Sequence, residues 1–287
     1  MSKIRRGWGL TKKSWALLRE NQALIRFPLY GAFATVLMAV IVLGPGIYLI
    51  AEHETAVGAA LAVIGFYLLA VIGIYFSVGL AAAADMIFRG QQATVADGLA
   101  VSRSRFSQIC GWAAVSTVVG LVLSLLENQG GLAGAIFGRL LDIGWSLITF
   151  LAVPVIALEG AGPFETLKRS SILFKSRWGQ QVTGNIAIGA AVFLFGVLPS
   201  ALLIVLGLSV WSSASYAGAL LLVIGVLGMA IAMLVARALS GIFGVALYRY
   251  AIDGEAVGGF TAEDMESAVR KKKGGRNAPP TATPGTV

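Results

Sequence analysis

Residues Gly179 to Ala236 form a run of 58 without one charged side chain. Crossing about 30 Å of hydrocarbon at 1.5 Å per residue takes about 20 apolar residues, so this run is long enough for two crossings. The polar turn Trp211-Ser212-Ser213-Ala214-Ser215-Tyr216 divides it. Four more runs precede it. Phe27–Ala51 and Thr55–Ala84 are charge-free over 25 and 30 residues, Ile109–Leu126 over 18, and Leu140–Leu158 covers 19 with Asp142 near its start. Across the 287 residues 57% are hydrophobic and 13% charged. That is about half the charge of a soluble domain and the opposite of a disordered chain. The expected fold is an all-α polytopic membrane bundle of six transmembrane helices, at about 27–51, 55–84, 109–126, 140–158, 182–208 and 217–247. Residues 1–26 read as a basic amphipathic helix, 27–250 as the membrane domain, 251–273 as a short helical segment and 274–287 as a disordered tail rich in Pro, Gly and Thr.

Of the 22 Lys and Arg, 20 lie on one side. Seven lie in the N-terminal arm (Lys3 to Arg26), three in the 85–108 loop, four in the 159–178 loop and six from Arg249 onward. The alternate connections, Glu52-His53-Glu54, Glu127-Asn128-Gln129 and the serine-rich turn, contain none. The positive-inside rule then places both termini in the cytoplasm. The first apolar run is too long for a cleaved signal peptide, so insertion is expected to use the first hairpin uncleaved. A net charge of +8 follows from that rule and does not point to nucleic acid. The single cysteine, Cys110, and the single histidine, His53, exclude an internal disulfide, a His/Cys metal cluster and a Ser–His couple. No catalytic constellation, metal site or cofactor is expected, and the chain reads as a non-enzyme.

The cytoplasmic stretches resemble one another. Arg89-Gly90, Glu159-Gly160 and Asp253-Gly254 follow the second, fourth and sixth runs. Helix-start signals come next: Thr94-Val95-Ala96-Asp97, Pro163-Phe164-Glu165 and Thr261-Ala262-Glu263. Thr or Pro at entry with an acid in the first turn satisfies free N–H groups and the helix dipole. Ser104-Arg105-Phe106 before the third run resembles Ser176-Arg177-Trp178 before the fifth. The chain therefore reads as three units, each an amphipathic cytoplasmic helix followed by a transmembrane hairpin. On residues 164–175 the apolar side chains at 164, 167, 171/172 and 174 approximate one helical stripe, with Lys168, Arg169 and Lys175 off it. Such helices lie in the interface, facing anionic headgroups. Arg103, Arg105, Lys168, Arg169, Lys175 and Arg177 are the candidate contacts to lipid or to a membrane-protein partner. The plainer alternative is that the helices brace the hairpins.

Ionisable groups at membrane depth are functional suspects. Arg139 and Asp142, spaced i,i+3, form a candidate intramembrane polar pair placed within about a turn of the outer boundary. They read as a structural ion pair or as a gate. Arg237 lies 21 residues after Tyr216, about 31 Å of helix, hence at the inner interface. Asp85, Glu159 and Asp253 sit at cytoplasmic helix ends, and Asn185 just inside the fifth run. Trp211, Tyr216, Tyr248 and Tyr250 read as belt aromatics. Gly130, Gly134 and Gly138 suggest close packing. Pro45, Pro154 and Pro199 interrupt three spans, which transporters use at binding sites and inert bundles use as kinks.

Several segments together resemble a domain-of-unknown-function family of bacterial and archaeal integral membrane proteins. They are Ser14-Trp15-Ala16-Leu17-Leu18-Arg19 leading to Phe27-Pro28-Leu29, then Thr94 to Leu99, Gln108-Ile109-Cys110-Gly111-Trp112, and Trp145-Ser146-Leu147 through Val153-Pro154-Val155. Glu159-Gly160-Ala161-Gly162-Pro163 with Leu167-Lys168-Arg169-Ser170, and Trp178-Gly179-Gln180-Gln181 with Gly184-Asn185, complete the likeness. It covers roughly residues 7–250 and implies a six-span prokaryotic inner-membrane protein to which no catalytic residue can be assigned. The functional expectation is a non-catalytic envelope component or scaffold working through its interfacial helices. The alternative is a small-molecule transporter or channel built from the repeated hairpins.

Overall fold

The computed structural model describes residues 15, 18–52, 55–129, 131–178, 192–211, 215–254, 256–258 and 260, with the backbone alone for 22, 127–129, 131–137, 140, 147 and 176–178. The basic residues up to Lys13, His53, Gly130, Asn185, the stretch 179–191 that opens the fifth expected span, and the expected segments 261–273 and 274–287 lie outside this set, as does the side chain of Arg177. Every regular element among the described residues is helical. The first hairpin joins α1 (Gln22–Met38), a π-helical segment (Ala39–Leu43) and α2 (Gly44–Ala51) to α3 (Thr55–Phe88). Then come α4 (Val95–Ser104), α5 (Phe106–Gln129), α6 (Gly131–Ile148), α7 (Ala152–Glu159) and α8 (Pro163–Trp178). A second π-helical segment (Phe193–Val197) leads into α9 (Leu198–Val210) and α10 (Ser215–Asp253).

Among the described residues five stretches are long and apolar enough to cross a membrane: Ala23–Ala51, Thr55–Phe88, Phe106–Leu126, Phe193–Val210 and Ser215–Asp253. Only 6% to 17% of their most apolar windows is buried within the protein. Apolar surface on that scale requires lipid around it, and the protein is membrane-embedded. The run expected as one span over 140–158 is divided, with α6 ending at Ile148 and α7 starting at Ala152.

Each of the three prolines disturbs the helix four residues upstream. A proline ring clashes with the carbonyl at i−4 and offers it no N–H. For Pro45 and Pro199 those carbonyls belong to Ile41 and Phe195, which lie within the two π-helical segments, where a wider turn opens the ladder. For Pro154 the carbonyl belongs to Phe150, in the break between α6 and α7. The Ile148 carbonyl exposed at that break accepts a hydrogen bond from Ser170 Oγ of α8, which ties a helix outside the spans to the interrupted one.

Burial is concentrated at one end of the bundle, here called the base. Val78 to Ala84 of α3, Leu151 to Ala157, and Ala238 to Ala251 of α10 form the core with Leu18, Leu24, Phe27, Ile109 and Trp112. Toward the opposite tips large apolar side chains are exposed, among them Phe33, Val40, Phe66, Leu202, Val205 and Val223. There the hairpin arms meet backbone to backbone. A Cβ on Gly58 would lie 2.8 Å from the Gly46 carbonyl oxygen, and one on Gly218 would lie 2.9 Å from that of Gly207.

Two short helices clad the base. Thr94 caps α4: its Oγ1 accepts from the Asp97 N–H at 3.3 Å while Asp97 Oδ2 accepts from the Thr94 N–H at 2.9 Å, the reciprocal arrangement of a capping box. The Thr94 hydroxyl also donates to Asp97 Oδ2 at 2.6 Å, and this bond together with that from the Thr94 N–H holds the Asp97 carboxyl below the usual carboxylate range. Helix α4 packs on α3 through Gly98, Gly79 and Ser102, whose Oγ donates to the Tyr75 carbonyl at 2.8 Å. The inner face of α8 differs from the expected stripe. Thr166 and Ser170 are fully buried and Leu173 nearly so, whereas Phe164 is 77% and Ile172 48% exposed. Two hydroxyls point inward because each serves a carbonyl, Ala161 for Thr166 and Ile148 for Ser170, and a count of apolar positions does not register that demand.

An added methyl at Gly98 would meet the Phe27 ring and lie 2.5 Å from the Gly79 carbonyl oxygen. Gly98→Ala is expected to destabilise the protein by about 1–3 kcal/mol although alanine is the better helix former. The unfolding temperature in detergent measures it; an unchanged or higher value contradicts the packing described.

Candidate functional site

The charges at the base converge on α10. Asp85, three residues before the end of α3, is 4% exposed and receives Arg249 in a fork, Nε to Oδ1 at 2.6 Å and Nη2 to Oδ2 at 2.8 Å. Arg89 adds Nε to Oδ2 at 3.0 Å from one turn on. Arg249 Nη1 also reaches Asp253 Oδ2 at 3.4 Å. The neighbouring Tyr248 donates its hydroxyl to Glu159 Oε1 at 2.8 Å, and Glu159 also takes Arg169 Nε at 3.0 and 3.1 Å from its two oxygens. Two adjacent residues of α10 thus hold the ends of α3 and α7, and Arg169 links α8 to the same carboxylate. Bidentate guanidinium–carboxylate pairing fixes orientation as well as charge.

The register of α3 and α10 follows the same pairing. Arg249 is 164 residues after Asp85, and the Arg237 guanidinium lies 3.4 Å from where a Cβ on Gly73 would stand, at an identical separation. Gly90 and Gly254, both at φ 75°, close the two helices at that separation too, and Gly160 at φ 69° closes α7. A left-handed residue ends a helix by satisfying its last carbonyls. The Arg105 guanidinium packs over Gly160, leaving no space for a side chain there. Among the described residues Arg105 Nε is buried without a hydrogen-bond partner.

The expected contact residues therefore separate into two groups. Arg169 and Arg105 are engaged within the base. Arg103, Lys168 and Lys175 are exposed on α4 and α8. Arg139 and Asp142 do approach, Nη1 to Oδ2 at 3.7 Å with side chains 73% and 43% exposed. The helix that carries them, α6, begins at Gly131. They occupy the ninth and twelfth positions of its 18 residues, mid-helix. Trp145 of α6 stacks on Trp112 of α5 at 6.1 Å, so this arm runs alongside α5. The sequence reading missed the partners of Asp85 and Glu159 and took Tyr248 for a belt aromatic. The available signal was an acid closing each of three apolar runs beside the Tyr248-Arg249 pair; the pairing itself spans 164 and 89 residues. Among the described residues no three His, Cys, Asp or Glu side chains converge as a metal site requires.

Removing one partner of a buried ion pair strands the other charge, at about 3–5 kcal/mol. Asp85→Asn is expected to lower the unfolding temperature sharply, and adding Arg249→Gln to recover part of the loss, since the charges then left without these partners, Arg89 and Asp253, are about half-exposed. A wild-type unfolding temperature for Asp85→Asn would show that this pair does not hold the base.

No curated protein and no solved structure matches the chain. A family model does, over residues 57–259, which take in α3 from its third residue, α4 to α10 and every residue of the charge network just described. The chain belongs to that family, the family of unknown function DUF6159.

Proposed function

We propose that this protein is a non-catalytic component of a prokaryotic plasma membrane that binds anionic lipid headgroups through α4 and α8. In this reading the base faces the cytoplasm, six spans form three units of interfacial helix plus hairpin, and both termini are cytoplasmic. The excess of Lys and Arg on that side supports the orientation. The left-handed glycines closing α3, α7 and α10 support the three units. The observation that carries the function is the outward face of α8, where Lys168 and Lys175 stand exposed beside Phe164 and Ile172. Cations interleaved with apolar side chains suit the boundary between headgroups and hydrocarbon. Arg169, engaged with Glu159, belongs to the scaffold and not to this surface.

Charge reversal at Lys168 and Lys175 is expected to lower the anionic phospholipid that co-purifies in mild detergent several-fold, at about 1 kcal/mol per cation. Unchanged lipid content counts against the reading. Loss of a co-purifying membrane protein in its place assigns the surface to a protein partner.

A transport reading gains from the mid-helix position of Arg139 and Asp142, since charges at membrane depth line water paths or pair inside bundles. With Cys110→Ser as background, Ile143→Cys beside Asp142 should react with a membrane-impermeant maleimide if water reaches it. No labelling removes the transport reading.

A further inference from the structure

A cleft of about 470 Å³ opens on the flank of the bundle where α3, the last turn of α4 and the first turn of α5 meet. Its lining is Val71, Ile72, Tyr75, Phe76, Phe106 and Arg103. Five of the six are apolar or aromatic, and the sixth is a cation at the rim. The walls are held by edge-to-face rings, Tyr75 against Phe76 at 5.6 Å and against Phe106 at 6.4 Å. The cation is positioned by its neighbour: Ser102, fully buried, bonds the Tyr75 carbonyl, which turns Arg103 outward. Among the described residues Arg103 makes no ion pair.

Depth gives the cleft its chemistry. Tyr75 lies 20 residues along α3 from Thr55 at the tip, about 30 Å of helix, which is the thickness of the hydrocarbon layer. The mouth with Arg103 is then level with the headgroups, while Val71 and Ile72 point about one turn into the acyl region. A guanidinium offers forked donors to phosphate oxygens, and an apolar wall below it suits an acyl chain. A headgroup without its own cation leaves the phosphate charge for Arg103; a choline headgroup neutralises it.

We infer that this cleft is a site for one anionic phospholipid, with its phosphate on Arg103 and an acyl chain along Val71, Ile72 and Phe106. The inference rests on the proposed placement of α4 in the headgroup layer and is narrower than it, since it names one bound lipid and its contacts. It also gives α4 a role distinct from that of α8, which meets bulk lipid through exposed surface cations.

The test is native mass spectrometry of the full chain released from detergent after titration with phosphatidylglycerol, phosphatidylcholine or glycerol phosphate. The expected result is one retained phosphatidylglycerol per chain, with phosphatidylcholine and glycerol phosphate held at least about tenfold more weakly, the factor equal to 1.4 kcal/mol. Arg103→Gln, an exposed position, should lose that adduct by a similar factor. Ile72→Trp, which fills the cleft and keeps the cation, should lose it too. Lys168→Glu with Lys175→Glu should keep the adduct while lowering total anionic lipid. Retention of the adduct in Arg103→Gln, or equal binding of phosphatidylcholine, overturns the cleft site. If that happens while the Lys168/Lys175 variant still loses lipid, the broader reading survives; if Arg103→Gln and Ile72→Trp lose the adduct while the Lys168/Lys175 variant keeps its total anionic lipid, the cleft stands and the α8 surface fails.

Discussion

Asp85 and Arg249 bring two long apolar helices into a single register. Helices α3 and α10 carry few side chains able to tell one sliding position from another, because an apolar surface packs acceptably at many offsets. A buried carboxylate does discriminate, since any offset that separates it from Arg249 breaks the fork and leaves it only the more exposed Arg89 of its own segment. The fork at 2.6 and 2.8 Å therefore sets the alignment that also brings Arg237 opposite Gly73 and closes both helices at corresponding glycines. Tyr248, next along the chain, extends the same constraint to Glu159. The arrangement resembles a keystone: few contacts, placed where they exclude alternatives, with Val245, Ala246 and Phe243 packed around them.

The prolines show how a local steric conflict becomes a tertiary feature. Each removes a donor and displaces the carbonyl four residues earlier. In the two outer hairpins the conflict is absorbed within the helix as a π-helical turn. In the middle one the helix parts, and Ser170 of a neighbouring helix donates to the Ile148 carbonyl that the break leaves open. That difference matters for how α8 is attached. Its inner face consists of Thr166, Ser170 and Leu173, so hydrogen bonds to open carbonyls hold it as much as apolar burial does. The companion helix α4 uses the same device, Ser102 on the Tyr75 carbonyl beside a glycine contact. With small and hydroxylic residues turned inward, the larger apolar and basic side chains are left outside, where they can meet the membrane surface.

A solvent with two zones explains the distribution of burial. Near the tips lipid covers Phe33, Leu202 and Val223, and the arms need only approach each other closely. At the base the same residue types, Val78 to Ala84 and Ala238 to Ala251, are covered by protein. Helices α3 and α10 are 34 and 39 residues long, well beyond the roughly 20 that hydrocarbon requires, because the excess builds this core. The basic helices gather around it, at the level where an interfacial function is proposed.

The apolar runs, read alone, determined that the chain is helical and membrane-embedded. Hydrocarbon demands that every backbone group be paired within its own segment, and Thr55 to Ala84 carries that demand openly. The capping signals at Thr94 and Pro163 were legible for the same reason, being local chemistry. The partners of Asp85, Glu159 and Arg169, the division of 140–158, and the place of Arg139 and Asp142 along α6 were decided only by the tertiary structure. Hydropathy assigns the same value to a leucine against lipid and a leucine against protein, so it could not separate the base from the spans. Contacts between residues 89 or 164 apart depend on how helices are stacked in space, and no spacing along the chain encodes that.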